Sequence, residues 1–166
     1  MLAGGKSSRF GSDKGQALLN GKPLTDHAAE LLAFQCDAVV IVGQGAVLDW
    51  PEGGRGPLGG LAGALLHARE IGFDSVLCCA VDSLGLPPDL RERLTPGPAY
   101  VASQPVIGLW PIASLLAAQA MLDSGAIASM HGFAERIGAR AVKLPHEPAN
   151  VNTPDDLAQW ELSQRL

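Results

Sequence analysis

Charge and aromatic rings are both scarce in this 166-residue chain: Asp, Glu, Lys and Arg make up 17% and Phe, Trp and Tyr only 5%. So few aromatics leave no platform on which successive bases could stack, which a single-strand nucleic-acid binder needs. A net charge of −5 and a pI near 5.2 argue against a general nucleic-acid partner. Cysteine is nearly absent as well. Cys36, Cys78 and Cys79 make no disulfide framework, and adjacent residues in a strand-like run point to opposite faces. All three read as small core residues of a reducing compartment. No apolar run approaches the roughly 18 residues of a membrane span, and no signal peptide opens the chain. A cytoplasmic location without membrane contact is therefore expected. The four histidines, His27, His67, His131 and His146, are scattered without metal-ligand spacing. Neither H-E-x-x-H nor G-x-S-x-G occurs, so zinc chemistry and covalent nucleophilic catalysis have no signature.

What is present is an ordinary globular composition, 47% hydrophobic, in a length that suits one domain spanning residues 1–166. Strand-like and helix-like stretches alternate, which predicts an α/β fold with a mostly parallel sheet between layers of helices. Met1-Leu2-Ala3 is expected as the tail of a first strand. Helices are predicted over Thr25 to Gln35, Leu58 to Glu70, Pro87 to Leu94, Ile112 to Leu122 and Ile127 to Ile137. Strands are predicted over Ala38 to Val42, Ser75 to Val81, Tyr100 to Ala102, Val106 to Leu109 and Ala141 to Leu144. Thr153-Pro154-Asp155-Asp156 reads as a helix start, with Thr at the N-cap, Pro at N1 and carboxylates in the first turn. That last helix is expected to run to about Gln164.

Leu2 to Lys14 stands out by charge. Lys6, Arg9 and Lys14 face a single carboxylate, Asp13, so the segment is +2 while the rest of the chain carries −7. A basic, glycine-containing loop in an acidic protein calls for an anionic partner. Glycine lets backbone N–H groups approach a ligand, and N–H groups beside Lys and Arg make a phosphate cradle. Gly5-Lys6-Ser7 resembles the end of G-x-x-x-x-G-K-[ST], but the earlier glycine of that motif has no place in front of it. The dinucleotide fingerprint G-x-G-x-x-G fails too, because Gly4 and Gly5 are adjacent and Gly11 comes next.

The string from Leu2 to Lys14 fits L-A-G-G-x-S-x-R-[FM]-G-x-D-K, which resembles the opening loop of the molybdenum cofactor guanylyltransferases. Further blocks follow in that family's order. Asn20-Gly21-Lys22-Pro23-Leu24 is similar to its N-G-K-P-L turn, and Gly56-Pro57-Leu58-Gly59-Gly60 to its G-P-L-A-G. Gln104 to Trp110 resembles Q-P-L-x-x-L-[YW]. Asn150 to Leu157 resembles N-[IV]-N-T-P-x-D-L. The resemblance implies a nucleotide-diphospho-sugar transferase-like fold, Rossmann-like and three-layered. It also implies transfer of GMP from GTP to the phosphate of molybdopterin, which yields molybdopterin guanine dinucleotide. Two departures stand out: Asp82-Ser83-Leu84-Gly85 replaces the family's Asp-x-Pro, and Val42-Gly43-Gln44 replaces an Asn-containing segment.

Asp82 closes the apolar run Val76 to Val81, and open α/β sheets bind ligands beyond the carboxyl ends of their strands. A lone carboxylate there suits Mg²⁺, which pairs one or two carboxylates with substrate phosphates; a helix cap or Asx-turn would use the same residue. The resemblance favours the metal. It implies catalytic roles for Asp82, Lys14 and Arg9. Nucleotide contacts are implied at Leu2, Ala3, Gly4, Gly5, Lys14, Asp49 and Asp82. Molybdopterin contacts are implied at Gln104, Asn150 and Asn152. Asp49, seven residues before Gly56, could accept guanine N1–H and N2–H or bind ribose hydroxyls, or be a surface loop carboxylate. Relatives that use CTP read L-A-A-G, so Gly4 points to GTP. Two alternatives stand beside this reading: cytidylyl transfer, and a non-catalytic nucleotide- or cofactor-binding protein. Molybdoenzyme chaperones or apo-enzymes are the further partners the family implies.

Overall fold

The computed structural model describes residues 1–3, 14–43, 47–125 and 128–163. Its first described turn is a 3-10 helix at Lys14–Gln16, followed by a hairpin of β1 (Leu18–Leu19) and β2 (Lys22–Pro23). Asn20 and Gly21 join the two strands with φ of 51° and 80°. A two-residue hairpin needs positive φ at both positions, and Asn-Gly supplies it at least cost. Helix α1 (Leu24–Ala33) follows at once, and α2 (Gly56–Glu70) starts with Pro in its first turn. Next come β3 (Ser75–Cys78), β4 (Ser83–Leu84) and α3 (Leu90–Leu94). Strands β5 (Ala99–Val101) and β6 (Gln104–Pro111) lead through a 3-10 turn at Ile112–Ser114 into α4 (Leu115–Asp123). The chain continues through α5 (Met130–Arg136), β7 (Arg140–Val142), β8 (Ala149–Asn150) and α6 (Pro154–Ser163).

The main sheet runs β3-β6-β5-β7. Met1–Ala3 extends it beyond β3 through parallel bridges from Leu2 to Ala80 and to Val42. Strand β6 is antiparallel to both β3 and β5, whereas β5 and β7 are parallel. Within this mixed sheet every described segment except β6 therefore shares one direction, in line with the mostly parallel expectation. Alternate residues send side chains to opposite faces. Leu2, Cys78, Tyr100 and Trp110 pack with α2, α4 and α5, while Met1, Leu77, Cys79, Val101 and Leu109 pack with α1 and α3. Two helical layers thus cover one sheet, as a three-layer sandwich requires. Cys78 and Cys79 do face opposite cores, and burial pushes their thiols up to about 11 and about 12. No described helix is long and apolar enough to cross a membrane.

Several boundaries differ from expectation. Ala38 to Val42 forms no continuous ladder; it meets Met1–Ala3 through Met1 N to Val40 O (2.8 Å), Val42 N to Met1 O (2.9 Å) and Ala3 N to Val42 O (2.9 Å). The helix expected from Pro87 begins only at Leu90, because a residue before proline disfavours the helical region. The helix expected from Ile127 begins at Met130. There Ser129 caps it, its Oγ accepting from Gly132 N at 3.0 Å, and Ile127 itself lies outside the described residues.

Candidate active site at the carboxyl edge of the sheet

Met1–Ala3 carries the chain to the carboxyl edge of the sheet. Leu2 N donates to Cys79 O at 2.9 Å, and Val81 N donates to Leu2 O at 3.2 Å. Leu2-Ala3 and Val81-Asp82 therefore leave the sheet side by side. A turn fixes Asp82, since Ser83 N donates to Ala80 O at 3.1 Å. Its carbonyl accepts from Val151 N at 3.2 Å. Strand β3 stops at Cys78, short of the expected Val81, so Asp82 stands in the turn beyond it and is partly exposed.

The Asp49 side is built by close approach of backbones. Trp50 N donates to Gly59 O at 3.0 Å, laying residues 48–50 across α2. A β-carbon on Gly63 would fall 2.1 Å from Leu48 O, and one on Gly59 would fall 3.3 Å from Trp50 O. A β-carbon on Gly60 would meet Leu2 Cδ2 at 3.1 Å and Asp49 Oδ1 at 3.5 Å. The bare face of α2 thus lets the Asp49 carboxylate lie beside the Leu2 side chain. Arg55, in the loop before α2, is used elsewhere: its guanidinium donates to Leu122 O at 3.1 Å, at the end of α4.

On the other side of Asp82, β4 pairs antiparallel with β8, matching Ser83 to Asn150 and Leu84 to Ala149. Asn150 and Asn152 are exposed and Val151 is buried between them, so both amides face one side, as their spacing predicts. Thr153 caps α6 and forms a reciprocal pair with Asp156. Thr153 Oγ1 accepts from Asp156 N at 3.2 Å, while Asp156 Oδ2 accepts from the backbone of Asn152 and Thr153, each at 2.8 Å. Gln104 belongs to this side through a structural bond, its Nε2 donating to Pro148 O at 2.5 Å. Lys22 of the Asn-Gly turn is paired with Glu30 on α1, and that lysine holds the Glu30 carboxyl below its ordinary value. Gly4, Gly5, Arg9 and Gln44 lie outside the described residues. For Lys14 only the backbone, the first residue of its 3-10 turn, is described.

Among the described residues no group of three or more His, Cys, Asp or Glu could hold a metal.

Residues 1–107 match the family described as the MobA-like NTP transferase domain. The chain belongs to that family. Two curated relatives named molybdenum cofactor guanylyltransferase agree over nearly the whole length. That of Cereibacter sphaeroides is 36% identical over 97% of this chain and 93% of its own, and that of Acidiphilium cryptum 33% over 95% and 90%. Among solved structures, molybdopterin-guanine dinucleotide biosynthesis protein A from Archaeoglobus fulgidus superposes with a TM-score of 0.70 at 22% identity. It covers 99% of this chain and 97% of that one. 4-Diphosphocytidyl-2C-methyl-D-erythritol synthase superposes with a TM-score of 0.60 at 15% identity, covering 90% and 93%. Both likenesses support the fold. In this MobA-like NTP transferase, then, Leu2-Ala3, Asp49, Asp82 and the Asn150–Asn152 segment meet at one edge of the sheet. Sequence reasoning overlooked Gly63, whose missing β-carbon seats the Asp49 segment, and Thr25, whose hydroxyl donates to Gly15 O at 2.8 Å. The run Gly59-Gly60-x-x-Gly63 was a visible signal for the first. Nothing local signals the second, because it joins two segments ten residues apart.

Proposed function

We propose that this protein transfers GMP from GTP to the terminal phosphate of molybdopterin carrying molybdenum, producing molybdopterin guanine dinucleotide and pyrophosphate. The observation that supports this reading most is the meeting at Asp82 of Leu2-Ala3 and Asp49 on one flank with Asn150 and Asn152 on the other. Two substrates must lie on either side of a reacting phosphorus, and Asp82 stands between the two flanks. The guanylyltransferase names of relatives up to 36% identical over most of the chain supply the substrates.

In this reading the backbone from Leu2 to Gly5 borders the guanosine and its phosphates, and Asp49 accepts N1–H and N2–H of guanine. Lys14 and Arg9 offset the charge of the triphosphate and of the pyrophosphate as it leaves. Asp82 would hold Mg²⁺, which would supply positive charge to offset that of the phosphates. Asn150 and Asn152 present neutral amides to the acceptor, and Gln104 braces Pro148 ahead of them. An oxygen of the acceptor phosphate forms the new bond to the α-phosphorus. The bond from that phosphorus to the bridging oxygen of the β-phosphate breaks, and pyrophosphate carries away the electron pair. The reaction asks for alignment and charge stabilisation rather than a protein nucleophile. A biosynthetic step on a soluble, phosphorylated cofactor fits a cytoplasmic site.

The decisive experiment measures pyrophosphate release from each of the four nucleoside triphosphates, with and without purified molybdopterin. Release from GTP alone, and only with the acceptor, is expected. Release from CTP instead would assign cytidylyl transfer. Nucleotide binding without any release would make the protein a binder.

A further inference from the structure

We propose that Thr25 is the positioning residue of Lys14, holding the lysine's turn so that its ammonium meets the nucleotide's phosphates. The inference rests on the reading of Lys14 as a phosphate-facing cation. Lys14–Gln16 forms a 3-10 turn packed against the start of α1. Thr25 Oγ1 donates to Gly15 O at 2.8 Å, and Leu24 N donates to Ala17 O at 2.9 Å. Leu24 is fully buried, so the first turn of α1 is a fixed base for the second bond. Pro23 stands at the N-cap of α1 without a side-chain cap bond. Thr25, in the same first turn, sends its hydroxyl ten residues back instead of capping its own helix.

That choice has a physical consequence. Gly15 is buried, and a buried carbonyl needs a donor. Removing the hydroxyl takes one donor from that carbonyl and loosens the Gly15–Gln16 peptide, one residue beyond Lys14. A lysine acts as a point charge on a flexible four-carbon stem, so its reach is set by where its backbone is held. A displacement of about 1 Å in a positioned group is enough to degrade a preorganised site.

The test is a double-mutant cycle on the full chain. Thr25→Val keeps the branched shape and removes the donor; Thr25→Ser keeps the donor. Each is made in wild type and in Lys14→Ala. Binding of a non-hydrolysable GTP analogue is measured by calorimetry without acceptor, and the melting temperature is measured alongside. Thr25→Val should weaken the analogue about tenfold, the scale of one hydrogen bond, and Thr25→Ser should restore it. In the Lys14→Ala background Thr25→Val should change the melting temperature as it does in wild type and leave analogue binding unchanged. Equal weakening in both backgrounds would make Thr25 purely structural and overturn the proposal. Thr25→Ala carries the same comparison if valine prevents folding. If Lys14→Ala leaves analogue binding intact, the reading of Lys14 falls and takes this one with it. If Lys14→Ala weakens binding and Thr25→Val does not, only the role of Thr25 falls.

Discussion

The two flanks of Asp82 are built in different ways. The Asp49 flank is backbone pressed on backbone: residues 48–50 lie across Gly59, Gly60 and Gly63 of α2, at distances that leave no room for a methyl group at Gly63. The Asn150 flank is a strap. Two residues of β8 pair with two of β4, Val151 N reaches Asp82 O, and a capping pair at Thr153 and Asp156 starts α6. The strap's core contacts are a small cluster of Leu19, Leu24, Leu84 and Val151, apart from the two large cores of the sandwich. Close packing transmits any change in volume, while a strap held by a few hydrogen bonds gives way locally. The nucleotide flank should therefore fail sharply and the acceptor flank by degrees.

The largest effect is expected at the seam. Asp82→Ala should lower turnover by about a thousandfold, since loss of the proposed metal ligand would cost several kcal/mol of transition-state stabilisation. Circular dichroism should stay unchanged. Near-normal pyrophosphate release from the folded variant would make Asp82 a turn residue and move the site elsewhere.

Gly63→Ala breaks the packed flank directly. The new methyl would meet Leu48 O at 2.1 Å, a backbone atom that no rotamer can move away. A loss of roughly 3 kcal/mol of stability is expected, the upper range for overpacking. Urea titration measures it. An unaltered midpoint would show slack between α2 and residues 48–50 and erase the contrast.

Lys14→Ala sharpens the comparison by separating ligands. GTP affinity should fall on the order of tenfold or more while molybdopterin affinity holds, because the proposed role of the missing charge is to offset the triphosphate. Titrating each ligand alone tests this, and equal losses would mean the lysine supports both flanks.

Base choice is a smaller effect. Gly4→Ala should move the CTP-to-GTP ratio of kcat/KM toward CTP, because a purine needs the room that a β-carbon would take. Asp49→Asn should weaken guanine discrimination, because an amide has one acceptor fewer to offer. Retention of the wild-type ratio in both variants would place base selection away from these residues.

The smallest effect belongs to the strap. Thr153→Ala removes the cap of α6 and should cost about 1 kcal/mol, with acceptor binding weakened more than GTP binding. A reversed ranking of the two ligands would overturn the assignment of the flanks.

Much of this arrangement was legible in the chain because it depends on local rules. Asn20-Gly21 names its own turn, Thr153-Pro154 names its own helix start, and the apolar run before Asp82 marks a strand, though that strand ends at Cys78 and leaves Asp82 in the turn beyond it. Alternation within strands likewise assigned Cys78 and Cys79 to opposite faces. The ordered motif blocks from residue 2 to residue 157 pointed to the family and hence the fold. Tertiary structure decided what local rules do not reach. It set Leu2 between Val42 and Ala80, laid Asp49 against a bare face of α2, turned Gln104 toward Pro148 and joined Thr25 to Gly15. It also cut the strand expected at Ala38–Val42 down to three hydrogen bonds with Met1–Ala3. Propensity and periodicity act over neighbouring residues, whereas these contacts join segments from ten to nearly eighty residues apart, and only the packing of whole layers brings such segments within hydrogen-bond distance.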